Sequence, residues 1–455
     1  MAVLTIAACT VGACGARTDL DPPSRGSAGT GAGSGTAGEG QGAGSEGGGP
    51  PQTCSLAPEG ESSEVLLFPE GNADGPSIAA VDINGDPALI LSAISVDANF
   101  WHPELRVARV RGIAGVPEWP SGLTIDAGPT TVGIDAHAWG RITSMDDGTV
   151  GISWYRGDEA IGAPAGIKFR AFDPVAWTAG PETFIDHGGD MTYQIAAGPV
   201  SNGQGFGIAY RAGTDGPGTF PKVVFMESNT VMTEGPILTG PRPYPGLPAD
   251  LIWSGEHWVT AVPFGQCAPG DALCTPNAMV FARAAIGKPL ERAGDVSAVQ
   301  GLLPRRPWLA RTGDQLVAAW TEGPPEDDTA PRTIRWVSLD NDGSVIGEPE
   351  TVAANVPLTW SISLGGSEAG AVLTWGQVKD ESLPDDHPGH SLLFVRHRDQ
   401  LGNRSGFEMS TPAFRFNSPS GQAIGWNAPR GFVMAWAAMS SAGFSSIRLA
   451  RFDCN

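Results

Sequence analysis

Four aromatic residues with a common spacing are the first candidates for ligand binding. Each lies five residues before a predicted turn residue, and the four are Trp139, Tyr193, Trp308 and Trp360. Aromatic ring faces suit sugars or an apolar chain, because they combine a flat apolar surface with a polar edge. The same residues would also suit packing between repeated structural units. Both interpretations, ligand binding and packing, follow from the spacing.

A second group of residues has the chemistry of a metal site. Two carboxylates and two imidazoles fall in one short segment, namely Asp385, Asp386, His387 and His390. Such side chains bind zinc or another divalent cation. No second ligand group is identifiable elsewhere in the sequence. We therefore expect no cofactor and no metal, with a divalent cation at this segment as the alternative.

Further acidic side chains gather in long polar segments, without a familiar catalytic motif. They are Asp158, Glu159, Glu322, Glu326, Asp327, Asp328, Asp380 and Glu381. Such carboxylates could bind a cation, accept hydrogen bonds from sugar hydroxyls or serve as catalytic acid and base, but solvation is the default expectation. The sequence has no G-x-S-x-G, no H-E-x-x-H and no phosphate-binding P-loop. Catalytic residues therefore stay unassigned.

A unit of about 56 residues, repeated along the chain from about residue 54, must position these side chains. Each copy has a short strand with a Gly, Asn or Asp turn, an apolar strand, a loop and an alternating strand, here called strands a, b and c. The clearest b strands are TVGISWY (149–155), GFGIAYR (205–211), QLVAAWT (315–321), GAVLTWG (370–376) and GFVMAWA (431–437). Short strands with this period resemble the blades of β-propellers.

The resemblance implies an all-β fold, with residues 54–455 forming a single seven-bladed β-propeller. Each blade would add an outer strand d, and the long b–c loops would share one face with the d–a connections. By resemblance to other propellers, this top face is where ligands bind over the central channel. The b-strand tryptophans are expected to be structural.

The two ends of the repeat region predict how the ring closes. The isolated strand EVLLF (64–68) precedes the first unit, and the chain stops at RLARFDCN (448–455) without an outer strand. The N-terminal strand should complete the last blade, since this removes an open sheet edge. That closure brings Cys54 towards Cys454, and we predict a disulfide between them. We predict a second disulfide within one loop, between Cys267 and Cys274. Two disulfides would fit an oxidising compartment.

The first 53 residues read as an export signal followed by a tether. Small residues precede a cysteine twice, in Ile6-Ala7-Ala8-Cys9 and Val11-Gly12-Ala13-Cys14. Both resemble the lipobox of bacterial lipoproteins, which implies a signal over residues 1–20 and a lipidated cysteine. Cys14 is favoured because cleavage at Cys9 would leave too short a signal. Residues 21–53 are rich in Gly and Ser, so we expect a disordered linker.

Composition narrows the partners of the chain. With 28 basic and 49 acidic side chains, the net charge is −21, which repels phosphate backbones and argues against nucleic acid. No apolar stretch is long enough for a transmembrane helix, so the expected membrane contact is the N-terminal lipid alone. By resemblance to bacterial lipoproteins, Gly15 in place of an aspartate after the lipidated cysteine implies the bacterial outer membrane as the location.

These observations predict a monomeric, exported binding module whose top-face loops contact a glycan, a peptide or a protein. One alternative is an extracytoplasmic polysaccharide hydrolase or lyase that uses loop carboxylates. Another is a structural protein of the cell envelope. Two opposed carboxylates in the channel would favour the enzyme.

Overall fold

Alternating and continuous apolar runs of the sequence form β-strands throughout the part of the chain that the structure describes. The computed structural model describes residues 54–56, 63–65, 71–97, 104–111, 122–127, 137–156, 166–187, 196–212, 220–227, 230–233, 250–264, 277–285, 288, 290–324, 330–357, 362–368, 370–400, 402–414, 421–425, 431–439 and 445–454. Within these ranges there is no helix, and so none that could cross a membrane.

Within the described residues, the strands group into seven antiparallel sheets, numbered here in chain order. Sheet 1 contains β3 (Gly71–Ile83), β4 (Asp86–Asp97), β5 (Glu104–Arg111) and β6 (Leu123–Ala127). Sheet 2 contains β7 (His137–Ser144), β8 (Val150–Arg156), β9 (Gly166–Asp173), β10 (Thr178–Ala179) and β11 (Thr183–His187). Sheet 3 contains β12 (Ala196–Ser201), β13 (Phe206–Ala212), β14 (Phe220–Glu227) and β15 (Thr230–Thr233).

The remaining sheets repeat this plan, and the last one includes both ends of the described chain. Sheet 4 contains β16 (Asp250–Trp253), β17 (Trp258–Phe264), β18 (Ala278–Ala284) and β19 (Glu291–Ser297). Sheet 5 contains β20 (Leu303–Thr312), β21 (Gln315–Gly323), β22 (Arg332–Leu339) and β23 (Val345–Val356). Sheet 6 contains β24 (Ile362–Ser367), β25 (Gly370–Val378), β26 (Ser391–Asp399) and β27 (Arg404–Thr411). Sheet 7 contains β1 (Cys54–Leu56), β2 (Ser63–Val65), β28 (Gly421–Gly425), β29 (Gly431–Met439) and β30 (Ser445–Cys454).

The core lies between the faces of neighbouring sheets. Buried clusters join sheet 1 to sheet 7, sheet 1 to sheet 2, sheet 4 to sheet 5 and sheet 6 to sheet 7, and similar clusters join sheets 3 and 4 and sheets 5 and 6. Each sheet has one end strand that corresponds to strand a of the repeated unit, here called its first strand. These first strands contact one another in cyclic order, from β3 through β7, β12, β16, β20, β24 and β28 back to β3. This arrangement confirms the predicted all-β propeller class.

The b-strand tryptophans are part of this core, as predicted. Trp154, Trp320 and Trp436 are fully buried. Their indole N–H groups are satisfied, since Trp154 donates to Asp126 Oδ2 at 2.7 Å and Trp436 donates to Thr411 Oγ1 at 3.1 Å. These side chains therefore hold adjacent strands and sheets together.

Sheet 7 closes as the sequence predicts. Both N-terminal segments, β1 and β2, pair with the C-terminal strand β30, and Cys54 lies directly opposite Cys454. The two cysteines form a disulfide with a Cα–Cα distance of 4.0 Å. β2 begins at Ser63, one residue before the predicted strand EVLLF (64–68), and β1 is an additional strand that precedes it. The predicted lipidation site Cys14 and the predicted Cys267–Cys274 disulfide lie outside the described residues.

Four of the first strands contain a β-bulge where they pair with the second strand of the same sheet. In β3, β7, β12 and β20 the pairing skips two residues, which are 75–76, 139–140, 198–199 and 306–307. The second residue of three of these pairs is proline, which has no N–H to donate to a ladder and therefore fits an unpaired position. Each bulge changes which residues of the strand face the centre of the ring.

Candidate functional site

A cavity of about 320 Å³ lies at the centre of the ring, among the first strands of six sheets. Its lining comes from β7, β12, β16, β20, β24 and β28, and is formed mainly by backbone and apolar or small side chains. Its charged lining residues, within the described chain, are Arg141, Asp250 and Arg311. A cavity of this size with a few convergent polar groups has the features of a small-molecule site.

Arg141 extends across the channel from sheet 2. It follows the bulge of β7, and its guanidinium lies over the Trp308 ring of β20, 4.2 Å from the centroid. Sheets 3 and 4 lie between these two sheets in the ring, so this contact bridges the channel. A guanidinium on an aromatic face is held by the ring's negative face, and such a contact strengthens away from water. Trp308 therefore orients Arg141.

Asp250 is the buried acid of the channel. It begins β16, is 6% exposed, and its Oδ2 accepts a hydrogen bond from the Leu309 N–H at 2.6 Å. Burial raises the pKa of Asp250 to about 6, although the positive charge of Arg141 and hydrogen bonds from the Leu309 and Leu251 N–H groups favour the ionised form. The carboxyl group consequently changes its protonation state near mildly acidic pH.

The charge of Arg141 is affected by the same enclosure. Burial lowers the pKa of Arg141, and the negative charge of Asp250 partly opposes this effect. The guanidinium nevertheless remains charged at neutral pH, because its pKa starts far above this range. The channel thus holds a permanent cation beside an acid that titrates.

Arg311 supplies a second cation at the turn end of β20. Its side chain is exposed, and its Nε donates a hydrogen bond to the Gly313 carbonyl at 3.1 Å. The described lining follows the first strands from the bulges towards the a–b turns, such as the turn at Gly313. Of the b–c loops predicted to bind ligands, only that over 376–390 lies wholly within the described chain.

Trp139 and Trp308, two of the four predicted aromatic residues, do not share one position in the structure. Trp308 follows the bulge of β20, whereas Trp139 lies within the bulge of β7, two residues before Arg141. The a–b turns differ in length, since Thr312 pairs with Gln315 but Ser144 pairs with Val150. Counting back from the turn therefore gave the wrong alignment, and Arg141 is the true counterpart of Trp308.

Of the aromatic candidates, the structure describes only the side chain of Trp308. It is 7% exposed, lines the channel and packs in the cluster between sheets 5 and 6. The Trp139 side chain, Tyr193 and Trp360 lie outside the described residues, and their roles stay predictions. Sequence reasoning missed Arg141 and Asp250, because they are far apart in the chain and belong to no local motif.

The acidic and histidine-rich segment that was considered as a metal site forms a set of local contacts. His390 is buried, with its Nε2 3.5 Å from Asp385 Oδ1 and its Nδ1 3.0 Å from Ser391 Oγ. The His387 Nδ1 accepts a hydrogen bond from the Gly389 N–H at 3.0 Å, and Asp386 is exposed. Both histidines thus use a ring nitrogen for contacts within the loop.

A different set of metal-type ligands lies together in the described part of the chain. Cys54, His397 and Cys454 have potential ligand atoms within 4.8 Å of one another, and no other group of three is found among the described residues. The two cysteines are bonded to each other in the disulfide. Their sulfur atoms are therefore not available as thiolate ligands in this state.

Glu322 corrects the default expectation that the loop carboxylates are solvated. It is fully buried, because β21 continues to Gly323 and places Glu322 on the same side as Trp320. Its carboxylate accepts hydrogen bonds from the Trp320 indole at 2.8 Å, from Arg335 at 3.1 Å and from the Val299 N–H at 3.2 Å. This is a structural ion pair. Asp380, Glu381, Asp385 and Asp386 are exposed, as expected.

Comparison with known proteins gives similarity of structure without similarity of sequence. No family model matches, and no curated protein matches. A protein of unknown function from Dyadobacter fermentans is 10% identical with a TM-score of 0.49, and the match covers 88% of this chain and 99% of that one. An α-L-arabinanase of Penicillium chrysogenum, solved with arabinobiose, is 11% identical with a TM-score of 0.49, covering 86% and 98%. A fucose-specific lectin from Aleuria aurantia is 11% identical with a TM-score of 0.43, covering 77% and 98%. At this level, these likenesses assign no function to the chain.

Proposed function

We propose that residues 54–455 form a closed ring of seven blades, one for each sheet, and that this ring binds a glycan in its central channel. The observation that carries the proposal is that Arg141 and Asp250, whose charges affect each other, both line one cavity of about 320 Å³. A buried, titrating carboxyl group beside a half-buried cation is costly to fold, and such groups concentrate at functional sites.

The chemistry of these groups suits a polyhydroxylated ligand. Asp250 accepts hydrogen bonds from hydroxyl groups when ionised, and the Arg141 guanidinium donates several in a fixed plane. Partly exposed apolar residues of the same lining, such as Ile252 and Ile424, offer surface for the C–H faces of a sugar ring. Trp308 serves this site by positioning Arg141, because the guanidinium occupies its ring face.

The proposal is tested with a glycan array, followed by titration calorimetry on each hit. We expect binding that Arg141→Gln weakens and that Arg292→Gln leaves unchanged, since Arg292 is an exposed arginine of β19 paired with Asp295. Absence of binding to any glycan by the folded protein would contradict the proposal and favour the structural role in the cell envelope.

The second candidate function is hydrolysis or lysis of a polysaccharide, and the pKa of Asp250 favours it. A carboxyl group with a pKa of about 6 is protonated at mildly acidic pH and could act as a general acid. Hydrolysis normally needs a second carboxylate, and Asp250 is the only one in the described channel lining. Product release from a bound glycan, lost in Asp250→Asn, would establish the enzyme, whereas binding without product would exclude it.

We also propose that the protein is exported and anchored to the outer membrane through lipid on Cys14, with residues 21–53 as the tether. The lipobox-like sequence before Cys14 supports this assignment. Metabolic labelling with an alkyne fatty acid tests it: Cys14→Ala should abolish the label, whereas Cys9→Ala should retain it. The reverse pattern would move the lipid to Cys9.

A further inference from the structure

The strongest unassigned feature of the channel is the hydrogen-bonding capacity of Arg141. Its guanidinium contacts the ring of Trp308 and feels the charge of Asp250, but no described residue accepts a hydrogen bond from it. The side chain is partly accessible, and it lines the cavity. An enclosed guanidinium requires acceptors, because an arginine has five N–H donors that lose water on burial.

Asp250 already accepts hydrogen bonds from backbone N–H groups, so its carboxyl group does not meet the hydrogen-bonding capacity of Arg141. The Leu309 N–H from β20 binds its Oδ2 at 2.6 Å, and the Leu251 N–H adds a second backbone contact. These contacts hold the carboxyl group against the channel lining, where β16 of sheet 4 contacts β20 of sheet 5. The planar fork of Arg141, held in place by Trp308, is left to bind another acceptor.

The charge balance of the channel also points to an anion. The described lining carries two guanidinium groups, from Arg141 and Arg311, and one carboxyl group, from Asp250. The chain as a whole carries a net charge of −21, so this local excess of positive charge runs against the composition. Arg311 is exposed at the turn end of β20, where its charge would attract an anion towards the channel.

We propose that the channel ligand carries a carboxylate, which Arg141 binds through paired N–H···O hydrogen bonds, and that the glycan is therefore an acidic one built from uronic acid units. This inference rests on the proposed glycan-binding function and specifies its ligand class. The match is geometric as well as electrostatic, since guanidinium and carboxylate groups are both planar and form two parallel hydrogen bonds.

Asp250 makes this binding dependent on pH. Among the described lining residues, Arg141 from β7 is the charged group that acts on Asp250. Arg311 from β20 is the other charged group of the lining, and the described lining residues of β12, β24 and β28 carry none. Protonation of Asp250 removes the negative charge beside Arg141, while a uronic acid remains ionised because its carboxyl pKa is lower. Acidic glycans should therefore bind more tightly as the pH falls through about 6.

The experiment compares two matched probes by titration calorimetry: short oligogalacturonides, and the same oligosaccharides with every carboxylate reduced to an alcohol. We expect the acidic probe to bind at about pH 5 and the reduced probe to bind about 10- to 100-fold more weakly, the loss typical of charge-assisted hydrogen bonds. The Arg141→Gln variant should bind the acidic and the reduced probe with equal affinity. Arg141→Lys should bind with intermediate affinity, because it keeps the charge without the fork. Arg292→Gln should match the natural protein.

Asp250→Asn gives an independent reading, since it retains an acceptor for the Leu309 N–H. This variant should bind the acidic probe more tightly than the natural protein at about pH 8, and its affinity should no longer vary between about pH 5 and pH 8. Thermal unfolding of each variant ensures that any loss of binding is measured on folded protein.

The possible outcomes separate this inference from the function on which it rests. Equal affinity for both probes would overturn the acidic ligand and keep the glycan-binding function. Binding of neither probe, together with a glycan array without hits, would overturn both. Acidic-probe binding that Arg141→Gln leaves unchanged would move the site away from the channel. Equal competition by acetate would replace the acidic sugar with a simple carboxylate as the ligand.

Discussion

The raised pKa of Asp250 shows that this side chain costs folding stability at neutral pH. Its carboxyl group is enclosed at the contact of β16 with β20, and burial dominates the rise of its pKa to about 6. Arg141 and two backbone N–H groups oppose this rise without cancelling it. A carboxyl group in this position weakens the fold at neutral pH, which is expected of a residue kept for its chemistry.

Replacement of Asp250 should reveal this cost as a pH-dependent change in stability. A raised pKa in the folded state means that the protonated form stabilises the fold below about pH 4 and that this stabilisation is lost as the pH rises through about 6. Asp250→Asn remains neutral, so above about pH 7 it should be more stable than the natural protein by up to about 3 kcal/mol.

Urea denaturation midpoints between about pH 4 and pH 8 measure this difference. The two proteins should have similar stability near pH 4 and diverge as the pH rises. A difference that stays constant over the whole range would indicate a change in packing, and would contradict titration of Asp250 near pH 6.

At the scale of the elements, hydrogen bonds join the first strands of neighbouring sheets. In two cases, a backbone N–H that follows the bulge of one first strand donates to a side chain on the first strand of the preceding sheet. The Ile142 N–H of β7 donates to Ser77 Oγ of β3 at 3.1 Å, and the Leu309 N–H of β20 donates in the same way to Asp250 of β16. Ser77 and Asp250 thus have the same structural role in two pairs of neighbouring sheets. The hydroxyl group of Ser77 is neutral, whereas the carboxyl group of Asp250 adds a titrating charge to the channel lining.

Ser77→Ala should destabilise the contact between sheets 1 and 2. The substitution leaves the buried Ile142 N–H without the acceptor that it uses at 3.1 Å, which costs about 1–3 kcal/mol. Chemical denaturation measures the loss, and Ser382→Ala is a matched control because Ser382 is exposed in the loop before β26. The control should change stability by less than about 0.5 kcal/mol. Equal small effects of both substitutions would contradict the role given to Ser77.

The elements were largely predictable, whereas the site was not, and the bulges explain the difference. Apolar runs such as GAVLTWG (370–376) and turn pairs such as Asn84-Gly85, whose φ angles are 58° and 89°, are local signals that specify strands and hairpins. The channel residues depend on which position of each first strand faces inward, and a two-residue bulge shifts that position. Arg141 and Asp250 meet only through the ring, so no spacing in the sequence connects them.

At the scale of the whole molecule, one covalent bond links the first and last described strands. Cys54 and Cys454 are separated by 400 positions in the sequence, and they are paired across β1 and β30 of sheet 7. In a cyclic arrangement, this sheet is where the ring can open, because its strands come from both ends of the chain. The disulfide therefore stabilises every contact between sheets at once.

Removal of the disulfide should lower the stability of the whole ring. In the chain-entropy view, a loop of this length places the stabilisation at the upper end of the usual range, about 4–5 kcal/mol. The double variant Cys54→Ala/Cys454→Ala should show this loss in guanidinium denaturation. As a comparison, Cys267→Ala/Cys274→Ala would remove the disulfide predicted within one loop, which would close a much shorter segment, and should cost less. An unchanged midpoint in the first variant would show that sheet 7 stays closed without the bond.

Because residues 54 and 454 are adjacent, the chain could begin and end at a different sheet without changing how the strands pair. A short peptide could join the two ends in place of the disulfide, and new termini could open at another exposed hairpin, such as the Asn84-Gly85 turn between β3 and β4. Such a circular permutant would keep every strand pairing of sheet 7 while moving the chain ends to another sector of the ring. A cargo fused at the new ends could thereby be presented at a chosen angle to the channel.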